Sequence, residues 1–137
     1  MSNLVQDLDS AIITDFVAQI RGEVTMPADF NYYEKRKVYN AMINKYPGMI
    51  VKCVDVADVI NAVNFGRVNN LLVAVRGGGH NGGGLGICDE GMVIDLSGIK
   101  FIRVDTEKST VRVGGGNLWG EVDHATHPFG LAVPAGI

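Results

Sequence analysis

The chain has 137 residues, 47% of them hydrophobic, with a formal net charge of −3, which suits one ordinary domain and, lacking a basic stripe, argues against nucleic acid as a partner. No apolar run is long enough to span a membrane, and the first residues lack the basic-then-apolar order of a signal peptide. Two cysteines, Cys53 and Cys88, make neither a disulfide framework nor a metal-ligand pattern, so a reduced, cytoplasmic protein is expected.

Leu4, Leu8, Ala11, Ile12 and Phe16 fall close to helical spacing, which predicts a first helix over residues 4–20, ending before Arg21-Gly22. Residues 23–46 are mixed, and Glu34-Lys35-Arg36-Lys37 reads as a solvated loop and short helix rather than a binding patch. Residues 1–46 are therefore taken as a helix and lead-in segment. Met49-Ile50-Val51-Lys52-Cys53-Val54 predicts a strand, after which Asp55 or Asp58 can cap a helix carrying Val59, Ala62, Val63 and Val68. Leu71-Leu72-Val73-Ala74-Val75 is a continuous apolar run of the kind buried on both faces of a sheet. It leads straight into Arg76-Gly77-Gly78-Gly79-His80-Asn81-Gly82-Gly83-Gly84, completing a β–α–β unit with a parallel strand pair.

Met92-Val93-Ile94-Asp95-Leu96, Phe101-Ile102-Arg103-Val104 and Thr110-Val111-Arg112-Val113 are β-type segments separated by short polar turns, a spacing that suits an antiparallel or mixed sheet. Asp95, closing its strand, is expected to satisfy turn amides. Gly114-Gly115-Gly116 ends the last strand, and Asn117 can cap a helix over residues 118–127, stopped by Pro128-Phe129-Gly130. Trp119, at helical spacing from Val122, is expected in the core. His124 and His127 lie three apart, but no third ligand has an evident place, so no metal site is expected. The expected class is α+β: a small βαβ subdomain followed by the start of a mixed or antiparallel sheet subdomain.

Glycine is the compositional outlier, at eighteen residues, about twice the usual share of ~7%. Gly77, Gly79 and Gly82 satisfy the literal pattern GxGxxG after a strand, but a dinucleotide site of the Rossmann type also needs a helix opening at the third glycine. Here Gly83-Gly84-Leu85-Gly86 leads to another strand, and no GK[ST] follows for a Walker loop. What remains is a turn whose backbone can take positive φ and admit a ligand to hydrogen-bond range. Several N–H groups in one concavity make an anion nest that suits a diphosphate without lysine. A glycine hairpin with an exposed His80 is the alternative from the turn alone. Arg76 could supplement the nest or pair with a neighbouring carboxylate.

The run Val75-Arg76-Gly77-Gly78-Gly79-His80-Asn81-Gly82-Gly83-Gly84, followed by Gly91-Met92-Val93-Ile94-Asp95-Leu96-Ser97, resembles the FAD domain of the vanillyl-alcohol-oxidase and p-cresol-methylhydroxylase (PCMH) flavoproteins, within them the berberine-bridge-enzyme-like branch. The resemblance takes in Arg21-Gly22, Asp29-Phe30-Asn31-Tyr32, Arg36 to Asn40, Val113-Gly114-Gly115-Gly116-Asn117-Leu118-Trp119 and Gly130-Leu131-Ala132-Val133-Pro134-Ala135-Gly136. It implies a PCMH-type FAD-binding domain over residues 47–137, with the pyrophosphate held by Arg76, Gly77, Gly78, Gly79, His80, Asn81 and Gly82. It further implies that Pro134, Ala135 and Gly136 line the cofactor and that His80 bonds the 8α-methyl carbon of the flavin. In such proteins hydride passes from a small alcohol, sugar or related substrate to the flavin. A second link, where present, uses a cysteine that would directly follow Ile137, a role not transferred to Cys53 or Cys88. The family's domain continues further, and a separate domain supplies the substrate pocket and base. The 137-residue chain is therefore expected to be incomplete, without catalytic residues or turnover, binding FAD weakly and self-associating through uncovered sheet surface. Two alternatives remain: a non-catalytic α/β interaction module, and a reductase that holds FAD non-covalently.

Overall fold

The computed structural model describes residues 2–136. A single 3-10 turn, Val5–Asp7, precedes helix α1, Ser10–Gln19. The predicted helix thus starts later than residue 4, because Asp9 caps it, its carboxylate accepting from Ala11 N at 2.8 Å. Strand β1, Glu23–Thr25, and the short helix α2, Tyr32–Lys35, follow. The strand is absent from the sequence-based expectation, since three residues carry no measurable period.

Strand β2, Met49–Lys52, leads to helix α3, Val56–Val68, and then to β3, Val73–Arg76, and β4, Met92–Asp95. Of the two acids considered as caps, Asp55 takes the position, accepting from Asp58 N at 3.0 Å. Asp58 is fully buried and instead accepts from the main chains of Arg21, Gly22 and Val54, so it ties the end of α1 to the end of β2. Burial opposes its charge, but those three hydrogen bonds prevail and hold the carboxyl below its ordinary pKa.

The four strands form one sheet in the order β1-β2-β4-β3. β4 runs parallel to both β2 and β3, and β1 is antiparallel to β2. Two expectations are corrected here. The apolar run at residues 71–75 is an edge strand, with Val75 55% and Leu72 49% exposed. The strand buried on both faces is β4, which belongs to the parallel sheet and not with the segments that follow it. Composition alone does not identify the buried strand, because the run at 71–75 is wholly apolar while that at 92–96 is broken by Asp95, so the more apolar run is not the buried one.

Alternation along the strands divides the core between the two faces. Met49, Val51, Met92 and Ile94 pack with Phe16, Ala62 and Phe65 from α1 and α3, where the Phe16 and Phe65 rings stack at 3.9 Å. Ile50, Ala74 and Val93 point the other way, toward Tyr32, Ile87 and Cys88, with Val38 and Ile43 packed over them. Beyond the sheet, β5, Ile102–Asp105, and β6, Thr110–Val113, form an antiparallel hairpin. Helix α4, Trp119–Thr126, and a 3-10 turn, His127–Phe129, complete the described chain.

Asn117 does not cap α4. Leu118 is the N-cap residue, and Glu121 reaches back to accept from its N–H at 2.8 Å. The Asn117 side chain is occupied in receiving the N–H groups of Phe101 and Gly114, both at 3.0 Å. Trp119 is 43% exposed rather than in the core, since Val122 and Thr126 form the buried stripe of this helix. Among the described residues no helix is long and apolar enough to cross a membrane.

Candidate functional site

In an open parallel sheet, ligands bind beyond the carboxyl ends of the strands, and the glycine turn occupies that end of β3. Its base is a buried ion pair. Arg76 and Asp95 are partners in the β3–β4 register, and Arg76 Nη2 donates to Asp95 Oδ2 at 2.5 Å. Arg76 Nη1 reaches the carbonyl of Lys37 at 3.3 Å, and Ser97 N donates to Asp95 Oδ1 at 2.8 Å. Asp95 thus satisfies a turn amide as expected, and of the two roles considered for Arg76 the structure displays the carboxylate pair. Burial works against the Asp95 charge, but hydrogen bonds from Ser97 and Arg76 outweigh it and keep the carboxyl below its ordinary pKa.

Above this base the chain turns through Gly79 at φ +72° and Gly84 at φ +69°, the left-handed region that favours glycine. Gly77 needs to be small for a different reason: a Cβ there would lie 2.6 Å from the carbonyl oxygen of Gly115. Gly78, Gly82 and Gly83 have no such obligation, because added Cβ atoms would meet nothing closer than 3.5 Å. Their backbones are open to the surroundings, which leaves room for a close-approaching ligand.

The hydrogen bonding of the turn is one-sided. Three of its carbonyls are engaged: Gly79 O accepts from Tyr39 N, Gly82 O from Asn40 Nδ2 and Asn81 O from Gly84 N. Among the described residues, none of the main-chain N–H groups from 77 to 83 donates to another part of the chain. Seven successive unpaired donors make the turn suited to an anion carrying many acceptor oxygens, as a diphosphate does. Arg76, Gly77, Gly78, Gly79, His80 and Asn81 line a concavity of about 220 Å³ together with Val75, Leu85 and Gly86. That is below the ~300–1,000 Å³ of a complete small-molecule pocket, so it fits part of a dinucleotide and not the whole.

A family model described as an FAD binding domain matches residues 47–136. The chain belongs to this family. It is 34% identical to (R)-6-hydroxynicotine oxidase of Paenarthrobacter nicotinovorans over 118 residues, covering 86% of this chain and 26% of that protein. It is 35% identical to an FAD-linked oxidoreductase of Dictyostelium discoideum over 126 residues, covering 91% of this chain and 27% of the relative. Among solved structures, 6-hydroxy-D-nicotine oxidase from Arthrobacter nicotinovorans superimposes with a TM-score of 0.76 at 33% identity, covering 81% of this chain and 24% of that one. The berberine-bridge-enzyme-like protein 1 of Physcomitrella patens gives 0.80 at 28%, covering 90% and 28%. The chain therefore spans about a quarter of the length of the relatives it matches. These relatives agree with membership of the vanillyl-alcohol-oxidase and PCMH superfamily, and the α+β class is that of its FAD-binding domains.

Within this FAD-binding domain, His80 is exposed, and its ring stacks on that of Tyr39, centroids 4.2 Å apart and planes 17° from parallel. Neither ring nitrogen has a hydrogen-bond partner among the described residues. Asn81 organises the turn from inside, its side-chain oxygen accepting from Leu85 N at 3.0 Å. Pro134, Ala135 and Gly136 are exposed irregular backbone and are not brought to the concavity; Ile137, where the expected FAD-binding domain ends, lies outside the described residues. Cys53 and Cys88 are buried, the Cys53 thiol pushed up to about 11 by burial and the Cys88 thiol raised by the same cause. Neither is poised as a thiolate. His124 is exposed on α4, and among the described residues no group of three or more His, Cys, Asp or Glu is placed to hold a metal. Sequence reasoning did not single out Tyr39, Asn40 or Lys45, all of which touch the turn across about forty residues of chain.

Proposed function

We propose that this chain holds the diphosphate of FAD within a flavin-dependent oxidoreductase acting on a small alcohol, sugar or related substrate. The observation that carries the reading is the run of unpaired N–H groups from 77 to 83, at the carboxyl end of a parallel sheet in an FAD-binding family. FAD, when bound, supplies a hydride acceptor whose chemistry belongs to the cofactor. The chain's own residues bind and orient it: the 77–83 amides hold the diphosphate, and the Arg76–Asp95 pair fixes the base of the turn.

His80 is the proposed attachment point. A neutral imidazole nitrogen is a competent nucleophile near neutral pH, and the ring is accessible and, among the described residues, free of competing hydrogen bonds. Tyr39 covers one face and leaves the edge nitrogens open. Pro134, Ala135 and Gly136 are proposed to meet the cofactor once the rest of the parent protein is in place. The apolar residues Phe101, Leu118 and Trp119, between 43% and 54% exposed, would then be covered by that remainder, or in its absence by a second copy. A strictly monomeric species in light scattering at high concentration would argue against the second copy.

The decisive experiment uses the longer parent protein. It should be yellow and keep its flavin through acid precipitation, and His80→Ala should release the flavin to the supernatant. Flavin released by acid from the unaltered parent would establish a non-covalent site instead. A colourless parent that does not bind added FAD would leave only the interaction-module reading.

A further inference from the structure

The one-sided hydrogen bonding of the glycine turn has an identifiable source, and it lies outside the stretch that the family model matches. Residues 37–45 run alongside the turn and engage it repeatedly. Tyr39 N donates to Gly79 O at 3.1 Å, Asn40 Nδ2 to Gly82 O at 2.9 Å, and Lys45 Nζ to Gly84 O and Ile87 O at 3.1 and 3.2 Å. The same segment accepts Arg76 Nη1 at the carbonyl of Lys37.

Its side chains also meet the two left-handed glycines. A Cβ on Gly79 would lie 3.7 Å from Val38 Cγ1, and one on Gly84 would lie 2.7 Å from Ile43 Cγ2. Val38 and Ile43 in turn pack on the core beneath the sheet, which anchors the segment. Its far end is closed by Arg36, whose guanidinium lies 4.0 Å from the Tyr46 ring centroid and donates to Asn44 Oδ1 and Lys45 O. The two glycines of the turn with restricted φ therefore face this segment, whereas Gly82 faces open space and Gly83 only the side chain of Asn81.

We infer that residues 37–45 are a strap that draws the turn's carbonyls to one side, so that its N–H groups are left in advance for a diphosphate. Asn40 and Lys45 are then positioning residues, acting through the turn and not by touching the ligand. Donors ordered before binding spare the ligand the entropy of ordering them. This rests on the FAD reading for the identity of the ligand, but the ordering of the turn is testable without any ligand.

The ligand-free measurement is 15N relaxation on the 137-residue chain. The 77–83 amides should be ordered, with order parameters near the ~0.85 of rigid backbone, yet exchange with solvent rapidly because they are unpaired. Lys45→Met and Asn40→Ala should lower those order parameters toward ~0.6 while the amides of β4 stay protected. Lys45→Arg, which keeps both charge and donors, should restore order to the turn. With ligand, the same two losses should weaken binding of FAD and of ADP by roughly 5- to 30-fold, the range expected for one or two hydrogen bonds, and leave riboflavin, which has no phosphate, unaffected. A turn already mobile in the unaltered chain, or turn order and ADP affinity unchanged in both variants, would overturn the strap. A turn ordered by the strap in a chain that binds neither FAD nor ADP would instead overturn the FAD reading and leave the strap standing. If Lys45→Met does not fold, Asn40→Ala, whose side chain sits at the surface, decides between these outcomes.

Discussion

Two glycine clusters of similar composition, residues 77–84 and 114–116, are used in opposite ways. In the second, the glycines are packing residues. A Cβ on Gly114 would lie 2.3 Å from the carbonyl oxygen of Ile99, and one on Gly116 would lie 2.3 Å from that of Leu96. Their N–H groups are spent inside the fold, Gly114 N on Phe101 O and Gly116 N on Ile99 O. In the first cluster, Gly82 and Gly83 meet no such obstruction, and their N–H groups are unpaired among the described residues. The two clusters touch where Gly77 passes the carbonyl of Gly115. Glycine density therefore does not mark a site. The absence of both a packing reason and an internal partner does.

That contrast can be broken by experiment. The largest loss should come from the base of the open turn, where Arg76→Leu leaves Asp95 buried and unpaired. Removing one partner of such a pair costs about 3–5 kcal/mol, measurable as a lower midpoint in urea. Next, Gly116→Ala should cost about 1–3 kcal/mol through overpacking against Leu96 and Ser97, with FAD affinity reduced only as far as folding is.

The pH dependence is more gradual. Asp58 and Asp95 both have folded pKa values below the ordinary carboxyl value, so the unfolded chain binds more protons in acid. Their stabilisation is complete above the unfolded value of about 3.9 and is lost as pH falls through the folded values. Thermal midpoints should therefore hold steady toward neutrality and drop below about pH 4, and Asp95→Asn should flatten that drop. A midpoint that rises on acidification would contradict the assignment. The smallest change in stability belongs to Gly82→Ala, within about 0.5 kcal/mol of the parent as for an unobstructed surface position. Here the comparison is sharpened, because the added methyl should still weaken FAD binding by about tenfold or more, if a ligand approaches that backbone as closely as a hydrogen bond requires.

Much of this arrangement was legible in the chain. The β-type run over residues 49–54 and the helical spacing through Val59, Ala62 and Val63 locate β2 and α3. The strand-to-glycine junction at Arg76 locates the turn, and its motif indicates the family. Other features were not legible because they depend on distant partners. The run at 71–75 is, if anything, more apolar than 92–95, and only pairing on both sides makes β4 the central strand. Asn117 has the right chemistry for a helix cap but is drawn off by Phe101 and Gly114. Trp119 has helical spacing from a buried valine and yet lies on the exposed flank.

The amino-acid sequence by itself determined the chemistry at the end of β3: residues able to bend sharply, an imidazole among them, and main-chain amides in place of lysines for an anion. Only the tertiary structure decided which side of that turn was left free. The decision is made by Asn40 and Lys45, 42 and 39 residues distant from the carbonyls of Gly82 and Gly84 that they engage. No local pattern encodes such contacts, because they exist only once the sheet has brought both segments to the same edge.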